Sequence, residues 1–148
     1  MKLRVKGYYC MERENLIDAR EWLSYAENDF GVAEHLFKTY YPKPLSIIGF
    51  HCQQAAEKAV KALIVLYGSQ GGMPQKHDLF LLLNQIKNMV NIDPRFYDYA
   101  DILAPYSITV RYPNELDLEE HHAEKAICMA KEFVAWAKGI VENISLSV

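Results

Sequence analysis

The sequence predicts an all-α protein, an antiparallel up-and-down bundle of four long helices and one short helix. Apolar residues recur three or four positions apart through most of the chain, which is the period of helices buried on one face. Proline-containing breaks at residues 42–44, 68–74 and 93–94 separate these periodic stretches. With 148 residues, half of them hydrophobic, the chain is long enough for one buried core.

The first helix is predicted over residues 18–40, after an N-terminal tail of residues 1–17. Asp18 and Glu21 form a capping-box pattern at its start. Its apolar face contains Trp22, Ala26, Phe30, Ala33 and Phe37. The prolines that follow end it and set the start of the second helix, predicted over residues 45–67. Residues 18–148 are expected to form a single domain.

Three further helices complete the predicted bundle. The third is expected over residues 78–89 and the short fourth over residues 94–103, where Asp93 provides an N-cap and Pro94 the first helical position. Residues 104–118 are predicted to form an extended loop, because their one strand-like stretch has no second strand to pair with. The last helix is predicted over residues 118–144, with a capping box at Asp117 and Glu120.

Charge and cysteine content exclude several classes of protein. A net charge of −3 argues against a general polyanion binder, and we expect no DNA partner. Three cysteines spread along the chain indicate free, buried thiols in a reducing cytoplasm rather than disulfides.

No run of residues has the length of a membrane span. The adjacent His121 and His122 point to different helix faces, so we expect neither a metal nor a cofactor.

The second predicted helix carries a line of polar side chains along one face. Gln53, Glu57 and Lys61 are spaced four apart, as are Gln54 and Lys58. The simplest interpretation is a solvated face tied by a Glu57–Lys61 ion pair. The alternative is one wall of a binding cleft.

Three fragments, taken together, favour the cleft. They are CQQAAEKAVKA at residues 52–62, HDL at 77–79 and RYP at 111–113. With WLSYAENDF at residues 22–30, they resemble the HEPN family of small helical domains. The resemblance extends over residues 18–144 and implies an up-and-down helical bundle.

Arg111 is the foremost candidate functional residue. Its guanidinium suits phosphate recognition, although a structural tie to a carboxylate would also explain it. In a phosphate site, Gln54, Lys58 and Lys61 would line or support the cleft. His77 would lie at the same end of the bundle, unless it only caps the third helix. Tyr112 would shape the cleft, and Tyr106 is a further aromatic candidate near Arg111.

The resemblance also implies a catalytic histidine, which this chain lacks at the expected position. In active HEPN ribonucleases, four to six residues separate the arginine from a histidine, which corresponds to positions 116–118, where this chain has Leu116, Asp117 and Leu118. His121 or His122 would have to replace it, with Arg111 stabilising the charge of the transition state.

The resemblance therefore implies a cytoplasmic module that binds a nucleotide or RNA phosphate. Such a module would form a homodimer and act with a minimal nucleotidyltransferase, in a toxin–antitoxin or two-component transferase pair. Two alternatives to this module remain open. One is a metal-independent endoribonuclease toxin, and the other is a homodimeric interaction domain that binds no ligand.

Overall fold

A computed structural model of the chain describes residues 6–68, 77–109 and 117–147, with side chains at 13–68, 77–108 and 117–144. Every regular element in these ranges is a helix, and no strand occurs among them. The helices are α1 (Lys6–Thr39), α2 (Leu45–Tyr67), α3 (Leu79–Ile86), α4 (Arg95–Leu103), α5 (Tyr106–Thr109) and α6 (Glu120–Ser147). The all-α prediction is confirmed.

The lengths of the helices differ from the predicted ones in two places. Three helices of the described chain are long, because α3 has only eight residues. After Ile86 the chain turns, and the amides of Met89 and Val90 both donate to the Ile86 carbonyl. The first helix begins at Lys6 instead of Asp18, so the predicted capping box lies inside α1. The antiparallel order of the bundle and the division into a tail and a domain stay predictions.

The helix α2 is the centre of the packing, with contacts to α1, α3, α4, α5 and α6. Its predicted apolar stripe is confirmed. The buried members are Ile48, Cys52, Ala55, Ala56, Ala59, Leu63 and Leu66. Because neighbours surround α2 on several sides, polar side chains next to the stripe are buried as well. The predicted solvated face is therefore wrong for Gln53, Glu57 and Lys61.

The prediction of an extended loop is wrong for residues 106–109, which form α5. Tyr106 is 5% exposed, and its ring lies where a side chain at Gly49 would be. A Cβ atom at Gly49 would lie 2.1 Å from Tyr106 Cδ1. The glycine thus admits an aromatic ring against the backbone of α2, and Tyr106 belongs to the core instead of a binding surface.

The helix ends have identifiable local causes. Gly68, with φ of 70°, ends α2 in the left-handed conformation that glycine adopts without strain. Asp78 caps α3 by accepting hydrogen bonds from the amides of Phe80 and Leu81. His77 is therefore not the cap, and its side chain is available for another contact.

The two cysteines with described side chains are both free thiols, but they differ in exposure. Cys52 is buried, as predicted, whereas Cys128 is exposed, so the predicted burial is wrong for Cys128.

No helix in the described ranges combines the length and apolar character that crossing a membrane requires.

Candidate functional site

A buried carboxylate organises the polar side of α2. Glu57 is 2% exposed and accepts hydrogen bonds from three side chains. Lys61 Nζ lies 2.7 Å from Glu57 Oε1, and Gln53 Nε2 lies 3.2 Å from Oε2. His77 Nδ1 lies 2.8 Å from Oε1. These contacts satisfy a charge whose burial without partners would cost several kcal/mol.

The surroundings of Glu57 keep it ionised. Burial raises its pKa, but the hydrogen bonds from Lys61, His77 and Gln53 and the charge of Lys61 outweigh this effect. The pKa of Glu57 is therefore below its usual value. The ammonium of Lys61 also lies 5.4 Å from the centre of the Trp22 ring on α1, which adds a cation–π contact.

His77 connects this buried group to the surface. Its side chain is 70% exposed, although Glu57 beside it is 2% exposed. An ionised carboxylate can only accept, so Nδ1–H donates to Glu57 and Nε2 is left for a ligand or water. Histidine oriented by a carboxylate is a common arrangement for proton transfer and, when protonated, for anion binding. His77 and Lys61 lie close together, since both contact Glu57 Oε1.

Lys58 belongs to a neighbouring cluster centred on Asp29 of α1. The Lys58 ammonium lies 2.5 Å from Asp29 Oδ2, and His51 Nδ1 lies 2.8 Å from Oδ1. Asp29 is largely buried, and its contact with the ammonium makes it the counter-ion of Lys58. Gln54 donates to Gln53, at 2.8 Å, and so joins the Glu57 network instead.

Four predicted site residues thus fall into two adjoining clusters. Gln54, Lys61 and His77 connect to Glu57, and Lys58 pairs with Asp29. The charges of both lysines are offset within the protein. Each therefore contributes less free positive charge than the sequence suggests.

Asp29 was not predicted as a functional partner. Its signals in the sequence were its place on the predicted first helix, one turn after Tyr25, and its presence in the family-like fragment of residues 22–30. Glu57 was noted only as half of a surface ion pair. Its role as the hub depends on His77, twenty positions away, and no spacing rule gives that contact.

His121 and His122 lie at the start of α6. The ring of His122 accepts a hydrogen bond from the Glu119 amide, 3.0 Å from Nδ1, and so caps α6. This cap lies two residues beyond the predicted capping box of Asp117 and Glu120. His121 Nδ1 lies 3.2 Å from the Glu119 carboxylate. Lys43, just before α2, reaches Glu120 at 3.3 Å. The start of α6 therefore lies close to the start of α2.

Arg111 and Tyr112 lie outside the described residues. The helix before them, α5, packs on α2 at Gly49, and the helix after them begins near Lys43. Both described ends of this connection are therefore near the first turns of α2. Glu57 lies eight residues beyond Gly49, which is about 12 Å along the helix.

Among the described residues, no group of three histidine, cysteine or carboxylate side chains is arranged to hold a metal ion.

Comparison with known proteins gives one family and two similar structures. The HEPN domain model matches residues 19–140. TT1696 from Thermus thermophilus superimposes with a TM-score of 0.71 at 25% identity, covering 82% of this chain and 96% of that chain. ST0689, described as an archaeal HEPN homologue, gives a TM-score of 0.63 at 25% identity, covering 83% and 97%. No curated protein sequence matches significantly.

Proposed function

This chain belongs to the HEPN family, and from that membership we propose that it binds the phosphate of a nucleotide or an RNA. The family in general is related to nucleotides and RNA. The observation that carries the proposal is the exposed imidazole of His77, held by the buried Glu57. In its protonated form this imidazole can donate from Nε2 to a phosphate oxygen, while Glu57 fixes its orientation.

Arg111 is the second phosphate ligand in this proposal, with Tyr112 beside it. The guanidinium offers a rigid fork of donors that matches two phosphate oxygens. Arg111 and His77 would each donate to phosphate oxygens, so a short RNA or a nucleotide with several phosphates would offer them more acceptors than a single phosphate does.

Gln54, Lys58 and Lys61 have supporting roles. Lys61 is nearly buried, so it acts by stabilising Glu57 rather than by touching the ligand. Lys58 is about one-quarter exposed and contributes a partly offset positive charge near the ligand. Gln54, through Gln53, completes the hydrogen bonds of the network.

We further propose that the chain acts as a homodimer with a minimal nucleotidyltransferase as its partner, in a toxin–antitoxin or two-component transferase pair. HEPN domains commonly dimerise, which supports the first part. Nucleotidyl transfer requires clustered carboxylates that hold Mg²⁺. The described residues contain no such cluster, so the proposal assigns the transfer to the partner.

A thermal-shift screen tests the binding proposal. The purified protein is heated with ATP, GTP, their diphosphates or a short RNA, and Arg111→Ala and His77→Ala are compared with it. We expect a rise in melting temperature that is lost in Arg111→Ala and reduced in His77→Ala, because a ligand that binds only the folded state stabilises it. Arg13→Ala, which removes an exposed arginine of α1, is the control and retains the shift.

The same samples separate the two alternatives. An endoribonuclease would shorten the RNA during incubation, and the cleavage would require Arg111 and either His121 or His122. An interaction domain without a ligand would show no shift with any nucleotide and no salt-sensitive binding of RNA. Cleavage would show that the chain is catalytic on its own, and the absence of any binding would contradict the proposed phosphate binding.

A further inference from the structure

A cleft lies between α1 and the second half of α2, beside the Glu57 network. It has a volume of about 340 Å³ and is lined by Asp18, Glu21, Trp22, Tyr25 and Val65. The two carboxylates and the two rings are spaced three or four apart on α1, so they share one face of that helix. Tyr25 is 53% exposed, which leaves its ring open to a ligand.

Among the described residues that line the cleft, the charged side chains are the carboxylates of Asp18 and Glu21. Among the described residues, neither Asp18 nor Glu21 has a salt bridge, and both are exposed. The nearby ammonium groups of Lys58 and Lys61 are already paired with Asp29 and Glu57. The described lining of the cleft therefore favours a cation as its ligand.

Each of the two aromatic rings already has a lysine ammonium group against one face. Lys61 lies 5.4 Å from the ring centre of Trp22, and Lys58 lies 6.0 Å from that of Tyr25. Each ring has a second face, with the same negative potential at its centre. A planar cation can stack on a ring while the neighbouring carboxylates accept its hydrogen bonds.

We propose that this cleft binds an arginine side chain of a protein partner. A guanidinium is planar, stacks on aromatic rings and donates two parallel hydrogen bonds to a carboxylate. A lysine ammonium has neither the flat face nor the fork and is more strongly hydrated. The cleft is thus an interaction surface that recognises a basic segment, independent of phosphate binding near His77.

The indole N–H signal of Trp22 in ¹H–¹⁵N spectra reports on the cleft directly. The chain contains one other tryptophan, Trp136, which is half-buried against the core and stacks on Phe96 at 4.6 Å. Trp136→Phe therefore identifies the Trp22 signal. The probes are the blocked amides of arginine, lysine and citrulline, titrated at constant ionic strength and without nucleotide.

We expect the arginine amide to shift the Trp22 signal and to bind about fivefold more tightly than the lysine amide, a ratio equal to about 1 kcal/mol. The uncharged citrulline amide, which has nearly the same shape, should have no effect. Asp18→Asn with Glu21→Gln should abolish the response. The control, Glu14→Gln with Glu34→Gln, removes two carboxylates of α1 outside the cleft and should retain it.

Three results would overturn the inference. They are an equal response to citrulline and arginine, no response of Trp22 to any probe, and an unchanged response in the Asp18→Asn, Glu21→Gln protein. Circular dichroism of each variant verifies that the fold is intact. Because no nucleotide is present, failure here leaves the phosphate proposal standing, and failure of phosphate binding leaves this inference standing.

Discussion

Replacing Glu57 by glutamine should destabilise the protein strongly. The substitution keeps the size of the side chain but removes the charge that faces Lys61, 2.7 Å away in a pair that is 8% and 2% exposed. Removing one partner of a buried ion pair costs about 3–5 kcal/mol, because the other charge stays buried without compensation. Since glutamine retains an oxygen that can accept from Lys61, we expect about 3 kcal/mol.

Urea-induced unfolding, followed by far-ultraviolet circular dichroism, measures this loss. A decrease of ~3 kcal/mol corresponds to a fall in melting temperature of roughly 6–12 °C for a chain of this size. Glu34→Gln is the matched control, because Glu34 and Lys38 have the same i, i+4 spacing but are 40% and 66% exposed. The control should change the stability by at most about 0.5 kcal/mol.

A double-mutant cycle isolates the interaction itself. When Lys61→Met is added to Glu57→Gln, the uncompensated ammonium disappears, so the double variant should be more stable than the sum of single changes predicts. We expect a coupling energy of about 2 kcal/mol, within the range found for residues in one network. If Glu57→Gln is as mild as Glu34→Gln, or the coupling energy is near zero, the claim that Glu57 organises the site is refuted.

The pH dependence of stability tests independently whether ionised Glu57 stabilises the fold. Because the folded state lowers the pKa of Glu57, its ionised form stabilises the fold above the pKa of the unfolded chain. That stability is lost as the pH falls through the lower pKa of the folded state. Between neutral pH and the acid range, the wild-type protein should therefore lose more stability than Glu57→Gln does. Equal losses would contradict the assigned pKa direction.

Two further predictions concern packing and thiol chemistry. Gly49→Ala should destabilise the fold by about 1–3 kcal/mol in urea unfolding, because the added Cβ would meet the ring of Tyr106. Gly31→Ala, with nothing within 4 Å, should instead stabilise it by up to about 1 kcal/mol, and equal effects would refute the packing argument. With Cys10 replaced by serine, Ellman's reagent should react with one thiol, Cys128, in the folded protein. Burial raises the pKa of Cys52 to about 12, so modification of Cys52 without unfolding would contradict its burial.

The parts of the fold that sequence predicts well are those that depend on periodicity. The apolar stripe of α2 was identified because one helix face meets the core at regular spacing. The start of α1 was misplaced because Asp18 and Glu21 imitate a cap, while the same buried face continues back to Leu16. A local pattern of polar residues does not reveal that the helix has already begun.

The candidate site was less predictable because its contacts join distant parts of the chain. The line Gln53, Glu57 and Lys61 looks like a solvated face when α2 is considered alone. It is buried because α1 and His77, two residues before α3, cover it. Likewise, the pairing of Lys58 with Asp29 joins two helices, and helical spacing within either one gives no sign of it.

Binding of a short fluorescently labelled RNA, measured by anisotropy at several salt concentrations, is the strongest test of the proposed phosphate binding. We expect binding that weakens as salt increases, since phosphate contacts release counterions. We also expect that Arg111→Ala abolishes binding, whereas Arg13→Ala retains it. Equal binding by Arg111→Ala and the wild-type protein would contradict the role of Arg111, and no binding of RNA together with no thermal shift by any nucleotide would contradict phosphate binding.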